Sequence, residues 1–229
     1  MTDREPLVLS WSGGKDSALA LARLRETEGV EVVGLMTTVT AGYDRVSIHG
    51  VRRSLLHAQA AALGLPVHEV TLQPQSSNQA YERATADALA VVRERTPGVR
   101  RLAFGDIFLE DVRQYRETLA GGLGFGSMFP LWGEAPRDLA DEVIGRGIAA
   151  RLVCVDTQQL AASFAGREYD AALLADLPAG VDPCGERGEF HTFVSDGPGF
   201  REPVRYVTGE VVLRDERFDY CDLLPVNDG

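Results

Sequence analysis

The stretch that decides the fold is Val8-Leu9-Ser10-Trp11-Ser12-Gly13-Gly14-Lys15-Asp16-Ser17-Ala18. Its apolar start predicts a buried strand, and the Ala- and Leu-rich residues after it have helical periodicity. Gly13 and Gly14 allow a sharp turn in which backbone N–H groups approach a ligand closely. Because the helix that begins near Asp16 directs its positive dipole end to the same place, we expect a phosphate to bind there.

The side chains of this loop support the same prediction. Ser12 and Ser17 add hydroxyl donors, Lys15 adds a cation, and Asp16 adds a carboxylate that could hold Mg²⁺ against phosphate oxygens. The loop is not a Walker loop, because Asp16 follows Lys15 where that motif requires Ser or Thr, and Leu9 occupies a glycine position. An ordinary glycine-rich turn is the alternative interpretation.

Composition excludes several classes of function. The chain has 229 residues, with 23 Lys and Arg against 34 Asp and Glu, and a net charge of −11. This balance disfavours nucleic-acid binding, which needs clustered cations. Cys154, Cys184 and Cys221 are widely spaced, so neither a zinc site nor a disulfide framework is indicated. The beginning of the sequence has no apolar run typical of a signal peptide or membrane span, so we expect a cytoplasmic protein that does not bind membranes.

Strands and helices alternate up to about residue 104. Predicted helices cover 18–28, 50–63 and 79–95, and predicted strands cover 30–39, 67–72 and 101–104. This order predicts a doubly wound, mostly parallel α/β sheet. Ligands bind beyond the carboxyl ends of such strands, and the loop Ser12–Ser17, residues Met36–Thr38 and Gly105-Asp106 are all expected at such ends.

Past about residue 125 the sequence becomes richer in glycine and proline. A helix at 136–146, a strand at 150–155 and antiparallel strands within 204–220 are expected, with the turn at Thr208-Gly209 or at Arg214-Asp215. We therefore predict a nucleotide-binding domain at 1–125 and a smaller α+β substrate-binding domain at 126–229. The sequence leaves the oligomeric state open, with a homo-oligomer among the alternatives.

Four further residues are candidates near the predicted phosphate site. Asp106 either binds metal or caps the following helix. Arg116 either reaches a phosphate or carboxylate, or lies on a solvated helix face. The run that contains Phe129 and Trp132 is more typical of packing than of a ligand surface.

The second informative segment is an acidic, glycine-rich loop, Asp182-Pro183-Cys184-Gly185-Glu186-Arg187-Gly188-Glu189-Phe190-His191-Thr192. Glu186 and Glu189 could hold an ammonium ion or accept protons from an attacking amine. Cys184 could be a nucleophile, but a small buried residue is favoured because nothing in the sequence lowers its pKa. His191 is a substrate contact or a hydrogen-bonded structural histidine.

The Ser12–Ser17 loop resembles that of the PP-loop ATP pyrophosphatases, which cleave ATP between its α and β phosphates. Taken with further segments, the chain is similar to the diphthine–ammonia ligase family over residues 8–192. Those segments are His49-Gly50 to Gln59 and Leu63-Gly64-Leu65-Pro66, Phe104 to Ile107, Tyr115-Arg116, Pro130 to Trp132, and Cys184 to Thr192.

The resemblance implies an ATP-dependent ligase that forms an acyl-adenylate, releases pyrophosphate and uses ammonia to displace AMP. It implies a carboxylate-bearing acceptor, such as a modified translation elongation factor, and Mg²⁺ held by Asp16 and Asp106. The resemblance implies five catalytic residues, Lys15, Asp16, Asp106, Glu186 and Glu189. The nucleotide-binding residues that it implies are Ser12, Gly13, Gly14, Lys15, Asp16, Ser17, Met36, Thr37 and Gly105. The substrate-binding residues that it implies are Arg116, Trp132, Glu186, Glu189 and His191. Met36 to Thr38 would receive the adenine.

Two other functions remain as alternatives, a sensor that binds ATP or AMP without turnover and a hydrolase that releases AMP with water as the acceptor. The number of carboxylates around the predicted triphosphate site argues against a sensor. Paired cysteines and a basic face, which tRNA thiolation would need, are missing, and no segment suits a glutaminase. We expect Asp16→Asn to abolish pyrophosphate release with little change in melting temperature.

Overall fold

A computed structural model describes residues 4–46 and 50–226. Residues 47–49, which include part of the expected 41–48 connection and His49 of the family resemblance, lie outside the described residues. The first part of the chain forms β1 (Glu5–Ser10), α1 (Lys15–Glu26), β2 (Val30–Thr40), β3 (Arg45–Val46), α2 (Arg53–Leu63), β4 (Val67–Leu72), α3 (Asn78–Arg95), β5 (Arg101–Ala103), α4 (Glu110–Gly122) and β6 (Gly126–Met128). The second part forms α5 (Pro136–Gly145), β7 (Ala149–Asp156), a 3₁₀ turn (Ala162–Phe164), α6 (Ala171–Asp176), β8 (Phe190–Asp196), β9 (Tyr206–Arg214) and β10 (Phe218–Pro225).

The first sheet is mostly parallel. Its parallel strands pair in the order β4-β2-β1-β5-β6, and β3 pairs antiparallel with the end of β2. The chain runs outward from β1 through β2 and β4 and then returns to β5 on the other side of β1. The strand order therefore reverses between β1 and β5, which is where ligands bind in such sheets.

Helices cover both faces of this sheet, and β1 shows why. Leu7 and Leu9 belong to the apolar cluster that includes Leu19 and Leu21 of α1, whereas Val8 belongs to a second cluster with Leu89 of α3. Successive side chains of a strand point to opposite faces, so a strand buried on both faces needs continuous apolar residues. The predicted doubly wound α/β class is confirmed.

A smaller antiparallel sheet follows, in the order β8-β7-β10-β9. Of the two turns expected near the end of the chain, Arg214-Asp215 is confirmed, because Asp215 and Glu216 have φ values of 51° and 53° between β9 and β10. Thr208-Gly209 instead lies inside β9. The expected boundary at residue 125 falls just before β6, which still belongs to the parallel sheet, and the division into 1–125 and 126–229 stays a prediction.

One local expectation was wrong. Helix α2 begins at Arg53 rather than Gly50, because Val51 instead accepts a backbone hydrogen bond from Val46 of β3 at 2.8 Å. Met36–Thr38 lie near the carboxyl end of β2, as expected, and Met36 pairs with Ser10, the last residue of β1. Among the described residues, none of the helices is both long enough and apolar enough to cross a membrane.

Candidate active site

A cleft of about 210 Å³ opens at the carboxyl ends of β1 and β5, where the strand order reverses. It brings together the glycine-rich loop, the segment after β5 and the acidic loop, which are far apart in sequence. The residues that line it are Ser10, Ser12, Gly14, Lys15, Asp16, Ser17, Gly105, Asp106, Arg116, Cys184, Gly185, Glu186, Phe190, His191 and Thr192.

The glycine-rich loop is fixed by its glycines and by a buried amide. Gly13 has a φ of 80°, and a Cβ atom there would lie 2.8 Å from Oε1 of Gln59. The Gln59 side chain accepts from Trp11 Nε1 at 3.0 Å and donates to the carbonyl oxygens of Gly13 and Val194 at 2.9 and 2.6 Å. The Ser17 hydroxyl donates to Gly14 O at 2.8 Å, so the loop is preorganised before any ligand binds.

Lys15 is buried and links the two parts of the chain. Its side chain is only 2% exposed, and Nζ donates to both carboxylate oxygens of Asp16 at 2.9 Å and to the carbonyl oxygen of Cys184. Nζ also lies 5.3 and 5.4 Å from the ring centres of Tyr169 and Phe190. Burial works against the charged form, but attraction to Asp16 and other anionic groups outweighs it and raises the Lys15 pKa. Lys15 thus holds Asp16 and the acidic loop in place.

Asp106 pairs with Arg116 instead of capping a helix. Asp106 Oδ2 lies 2.7 Å from Arg116 Nε, and the Arg116 guanidinium lies 4.9 Å from the centre of the Phe104 ring. The capping alternative is wrong, because α4 begins only at Glu110, after Leu109. The cleft therefore has a carboxylate and a guanidinium side by side on the wall opposite the glycine-rich loop.

The conformation of the acidic loop is fixed by the buried carboxylate of Asp182. Asp182 is 4% exposed, and its oxygens accept from the backbone N–H groups of Cys184 at 2.9 Å and Glu186 at 3.1 Å. Its own N–H donates to Glu189 Oε1 at 3.1 Å. This chain of bonds fixes where Glu186 enters the cleft.

Glu186 has the most functionally informative pKa in the site. Burial raises this pKa from 4.5 to about 7, the hydrogen bond from Ile107 N opposes the shift, and repulsion from Asp16 and Asp106 adds to it. The bond from Ile107 N to Glu186 Oε1 measures 2.8 Å. A carboxylate with a pKa near neutrality can exchange protons with a substrate at physiological pH.

Cys184 matches the buried-residue interpretation. It is 2% exposed, its thiol donates to Pro136 O at 3.2 Å, and burial raises its pKa to about 12. A thiol that stays protonated is a poor nucleophile. His191 lines the cleft from β8, and its role in substrate binding stays a prediction.

Five predicted site residues do not line this cleft, and one of them, Gly13, bonds through its carbonyl oxygen to Gln59 and Val194. Glu189 is 2% exposed and turned toward Asp182. Trp132 packs edge-on against Phe129 at 6.0 Å, with the Arg113 guanidinium 4.6 Å from its ring, as the packing interpretation predicts. Met36 and Thr37 are 5% and 3% exposed inside β2.

Three residues of the site have roles that the sequence did not reveal. Gln59 and Asp182 hold the two loops from behind, and Thr192 Oγ1 accepts from Lys15 N at 3.0 Å. Gln59 and Thr192 already belong to the segments that carry the family resemblance, and Asp182 begins the acidic loop. Their side-chain partners follow only from tertiary structure, because most of those partners lie far away in the chain.

The carboxylates suit a metal ion that is shared with phosphate. Within the ranges 4–46 and 50–226, no group of three or more His, Cys, Asp or Glu side chains could hold a metal by itself. Mg²⁺ commonly binds through one or two carboxylates together with substrate phosphates. Asp16 and Asp106 line the same cleft and both raise the pKa of Glu186, so they are compatible with that kind of site.

The reversed strand order and the glycine-rich loop at its switch point are those of the PP-loop class of α/β proteins. Two family models match, the diphthamide synthase N-terminal domain over residues 6–127 and the diphthamide synthase C-terminal domain over residues 135–222. The chain belongs to the diphthamide synthase family. The resemblance seen in the sequence is confirmed, and with it the enzyme class of the family, ATP-dependent ligases that form carbon–nitrogen bonds.

Curated relatives carry the name diphthine–ammonia ligase. The protein from Homo sapiens is 29% identical over 229 aligned positions, which cover 88% of this chain and 83% of the relative. The protein from Rattus norvegicus is 26% identical over 223 positions, with coverages of 88% and 83%. The protein from Schizosaccharomyces pombe is 24% identical over 227 positions, and there the match spans 88% of this chain but only 36% of the relative.

Proposed function

We propose that this protein joins ammonia to a carboxylate-bearing acceptor through an acyl-adenylate, with release of AMP and pyrophosphate. The observation that carries the proposal is the meeting, in one cleft, of a glycine-rich loop at a helix N-terminus with an acidic loop that carries a carboxylate of near-neutral pKa. The relatives named diphthine–ammonia ligase support the same chemistry. The acceptor that the family resemblance implies, a modified translation elongation factor, is the first candidate acceptor here.

The glycine-rich loop would bind the phosphates of ATP. Gly14 and the first residues of α1 line the cleft, at the positive end of the helix dipole, and Ser12 and Ser17 add hydroxyl groups. Charge that develops on the departing pyrophosphate would be stabilised by these groups. Mg²⁺ held by Asp16 and Asp106 would neutralise phosphate charge. Lys15 would act by holding Asp16, because its ammonium group is already bound to Asp16 and Cys184.

Adenine would bind beside Gly105. Met36, Phe104 and Tyr115 line a narrow apolar pocket that shares Arg116 with the cleft. Its volume of about 10 Å³ is too small for a base, so the partly exposed Tyr115 and Arg116 would have to move when the nucleotide binds. Thr37 would contribute through its backbone, since its side chain is buried within the strand.

The acceptor would approach from the wall opposite the loop. Arg116 is suited to hold a carboxylate in bidentate fashion, with His191 at the same cleft and Trp132 in contact with Arg113. A carboxylate oxygen of the acceptor would attack the α-phosphorus, and the bond to the pyrophosphate oxygen would break. Ammonia would then attack the acyl carbon and AMP would leave.

Glu186 would take the proton that the ammonia nitrogen loses. Its position is fixed by Ile107 N, and its pKa of about 7 allows it to be ionised in part at neutral pH. Glu189 would act indirectly, by holding the N–H of Asp182. The two glutamates would thus differ in role, one as a proton acceptor and the other as a support of the loop.

The test is to follow ATP by ³¹P NMR with Mg²⁺, ¹⁵N-ammonia and a cell extract as the source of acceptor. AMP and pyrophosphate, with ¹⁵N found by mass spectrometry in a protein or small-molecule amide, are expected. ADP and phosphate would refute the mechanism. AMP formed without ¹⁵N incorporation would indicate the hydrolase, and ATP that binds without turnover would indicate the sensor. The same measurements are made on Glu186→Gln. The matched control outside the cleft is Gln79→Glu, on the exposed face of α3.

A further inference from the structure

The glycine-rich loop is held from the antiparallel sheet as well as from its own helix. Val194 N donates to Gly13 O at 2.9 Å, and Lys15 N donates to Thr192 Oγ1 at 3.0 Å. Thr192 and Val194 belong to β8, more than 170 residues further along the chain. The second sheet therefore contacts the loop at the point where a phosphate would bind.

Two hydroxyl groups lie close to Gly14. A Cβ atom on Gly14 would lie 3.2 Å from Thr192 Oγ1, 3.4 Å from Ser12 Oγ and 3.1 Å from the carbonyl oxygen of Thr192. A side chain at Gly14 would crowd these oxygens, so glycine allows β8 to approach the start of α1 closely. Gly14 is also the N-cap of α1, a helix of 12 residues, so the positive end of the helix dipole points there.

The Thr192 hydroxyl still has a proton to donate. A threonine hydroxyl can donate one hydrogen bond and accept two. Thr192 is 3% exposed and lines the cleft, and in the described part of the chain its oxygen takes part in one hydrogen bond, as the acceptor for Lys15 N. A ligand oxygen that enters the cleft can accept a hydrogen bond from the Thr192 hydroxyl, provided that it approaches this hydroxyl from the side away from the Thr192 carbonyl oxygen.

We propose that Thr192 is a phosphate-binding residue, and that the antiparallel sheet completes the phosphate site through its hydroxyl proton. The ligand class is a phosphate or diphosphate group. This inference rests on the proposed function in one respect, that the phosphate group belongs to a nucleotide. It gives the second sheet a part in binding ATP, in addition to the acceptor-binding part predicted from the sequence.

The test compares Thr192→Val, which keeps the shape but removes the hydroxyl, with Thr192→Ser, which keeps the hydroxyl. Isothermal titration calorimetry is done with inorganic pyrophosphate, ATP and adenosine. We expect Thr192→Val to weaken binding of pyrophosphate and ATP about tenfold or more, as for loss of a hydrogen bond to a charged group. Thr192→Ser should restore it, and adenosine affinity should not change. Thr208→Val, on an exposed part of β9, is the matched control.

Thr192→Val also leaves Lys15 N–H without an acceptor, so a second measurement is independent of stability. In the wild-type protein labelled at threonine methyl groups, the Thr192 resonance should shift on addition of pyrophosphate and not of adenosine. Unchanged pyrophosphate affinity of Thr192→Val, or equal loss of adenosine and pyrophosphate binding, would overturn the proposal. Absence of pyrophosphate binding by the wild-type protein would overturn it as well. If pyrophosphate and ATP bind as expected but no AMP is formed, the proposed function fails while the phosphate role of Thr192 stands.

Discussion

Gln59→Met keeps the length of a buried side chain while removing three hydrogen bonds. The amide of Gln59 is fully buried, with 0% exposure. It joins the indole N–H of Trp11 to the carbonyl oxygens of Gly13 and Val194. The substitution changes the support of the glycine-rich loop without touching any group that lines the cleft.

The loss of stability in Gln59→Met depends on which hydrogen bonds each partner of Gln59 retains. Gly13 O retains a bond from Val194 N at 2.9 Å, so its loss is about 1 kcal/mol. Trp11 is 1% exposed, and its indole N–H would be left buried and unpaired, at a cost of about 1–3 kcal/mol. With the bond to Val194 O included, the expected destabilisation is about 2–5 kcal/mol, or roughly 4–20 °C in Tm for a chain of this size.

Urea denaturation and thermal unfolding followed by circular dichroism measure this change. Gln79→Met is the matched control, because Gln79 is exposed on α3, and its effect should stay within about 0.5 kcal/mol. Affinity for pyrophosphate should fall with Gln59→Met and not with the control, since the loop loses its support. A Gln59→Met variant as stable as the wild-type protein would refute the reasoning that this amide holds the loop.

Three further predictions concern charged groups. The rate should rise with pH through about 7 as Glu186 ionises, and the pH–rate profile of Glu186→Gln should lack this rise. Because the pKa of Glu186 is raised from 4.5 to about 7, the stability of the wild-type protein should fall between about pH 4.5 and 7, and urea titrations of the variant should lack that fall. Asp16→Asn should abolish pyrophosphate release, measured by ³¹P NMR. Contrary to the expectation from sequence, it should also lower the free energy of unfolding by about 1–3 kcal/mol, because it removes the counter-charge of buried Lys15. The loss should be smaller than for a fully buried partner, because the Asp16 side chain is 28% exposed. Arg217 lowers the pKa of Asp156 from 3.8 to about 2, so its stabilisation is present above about pH 4 and lost as pH falls toward 2; urea titrations between these values should show a weaker pH dependence for Asp156→Asn, and an unchanged dependence would contradict the assignment.

Local spacing predicted the elements that carry the site. The run from Val8 to Ala18 has a strand, a glycine turn and a helix, and these depend on residues close together in sequence. The same holds for the alternation of strands and helices that gives the parallel sheet. The acidic loop was also recognisable, because an unusual density of carboxylates and glycines is a property of the sequence itself.

The functions of individual side chains within these elements were less predictable. Asp106 was assigned either to metal or to a helix cap, and its pairing with Arg116 depends on how α4 packs against β6. Glu186 and Glu189 are three positions apart and were treated alike, yet one lines the cleft and the other is turned toward Asp182.

The sequence by itself therefore determined the class of fold, the phosphate-type loop, the acidic loop and the family, because these depend on periodicity and on short-range spacing. Only the tertiary structure decided that Lys15 binds Cys184 O, that Thr192 lies above Gly14, and that Gln59 supports Gly13. The physical reason is that hydrogen bonds and burial act between groups that are close in space. The contact between Lys15 and Cys184 joins residues 169 positions apart, and no local pattern encodes a partner at that separation.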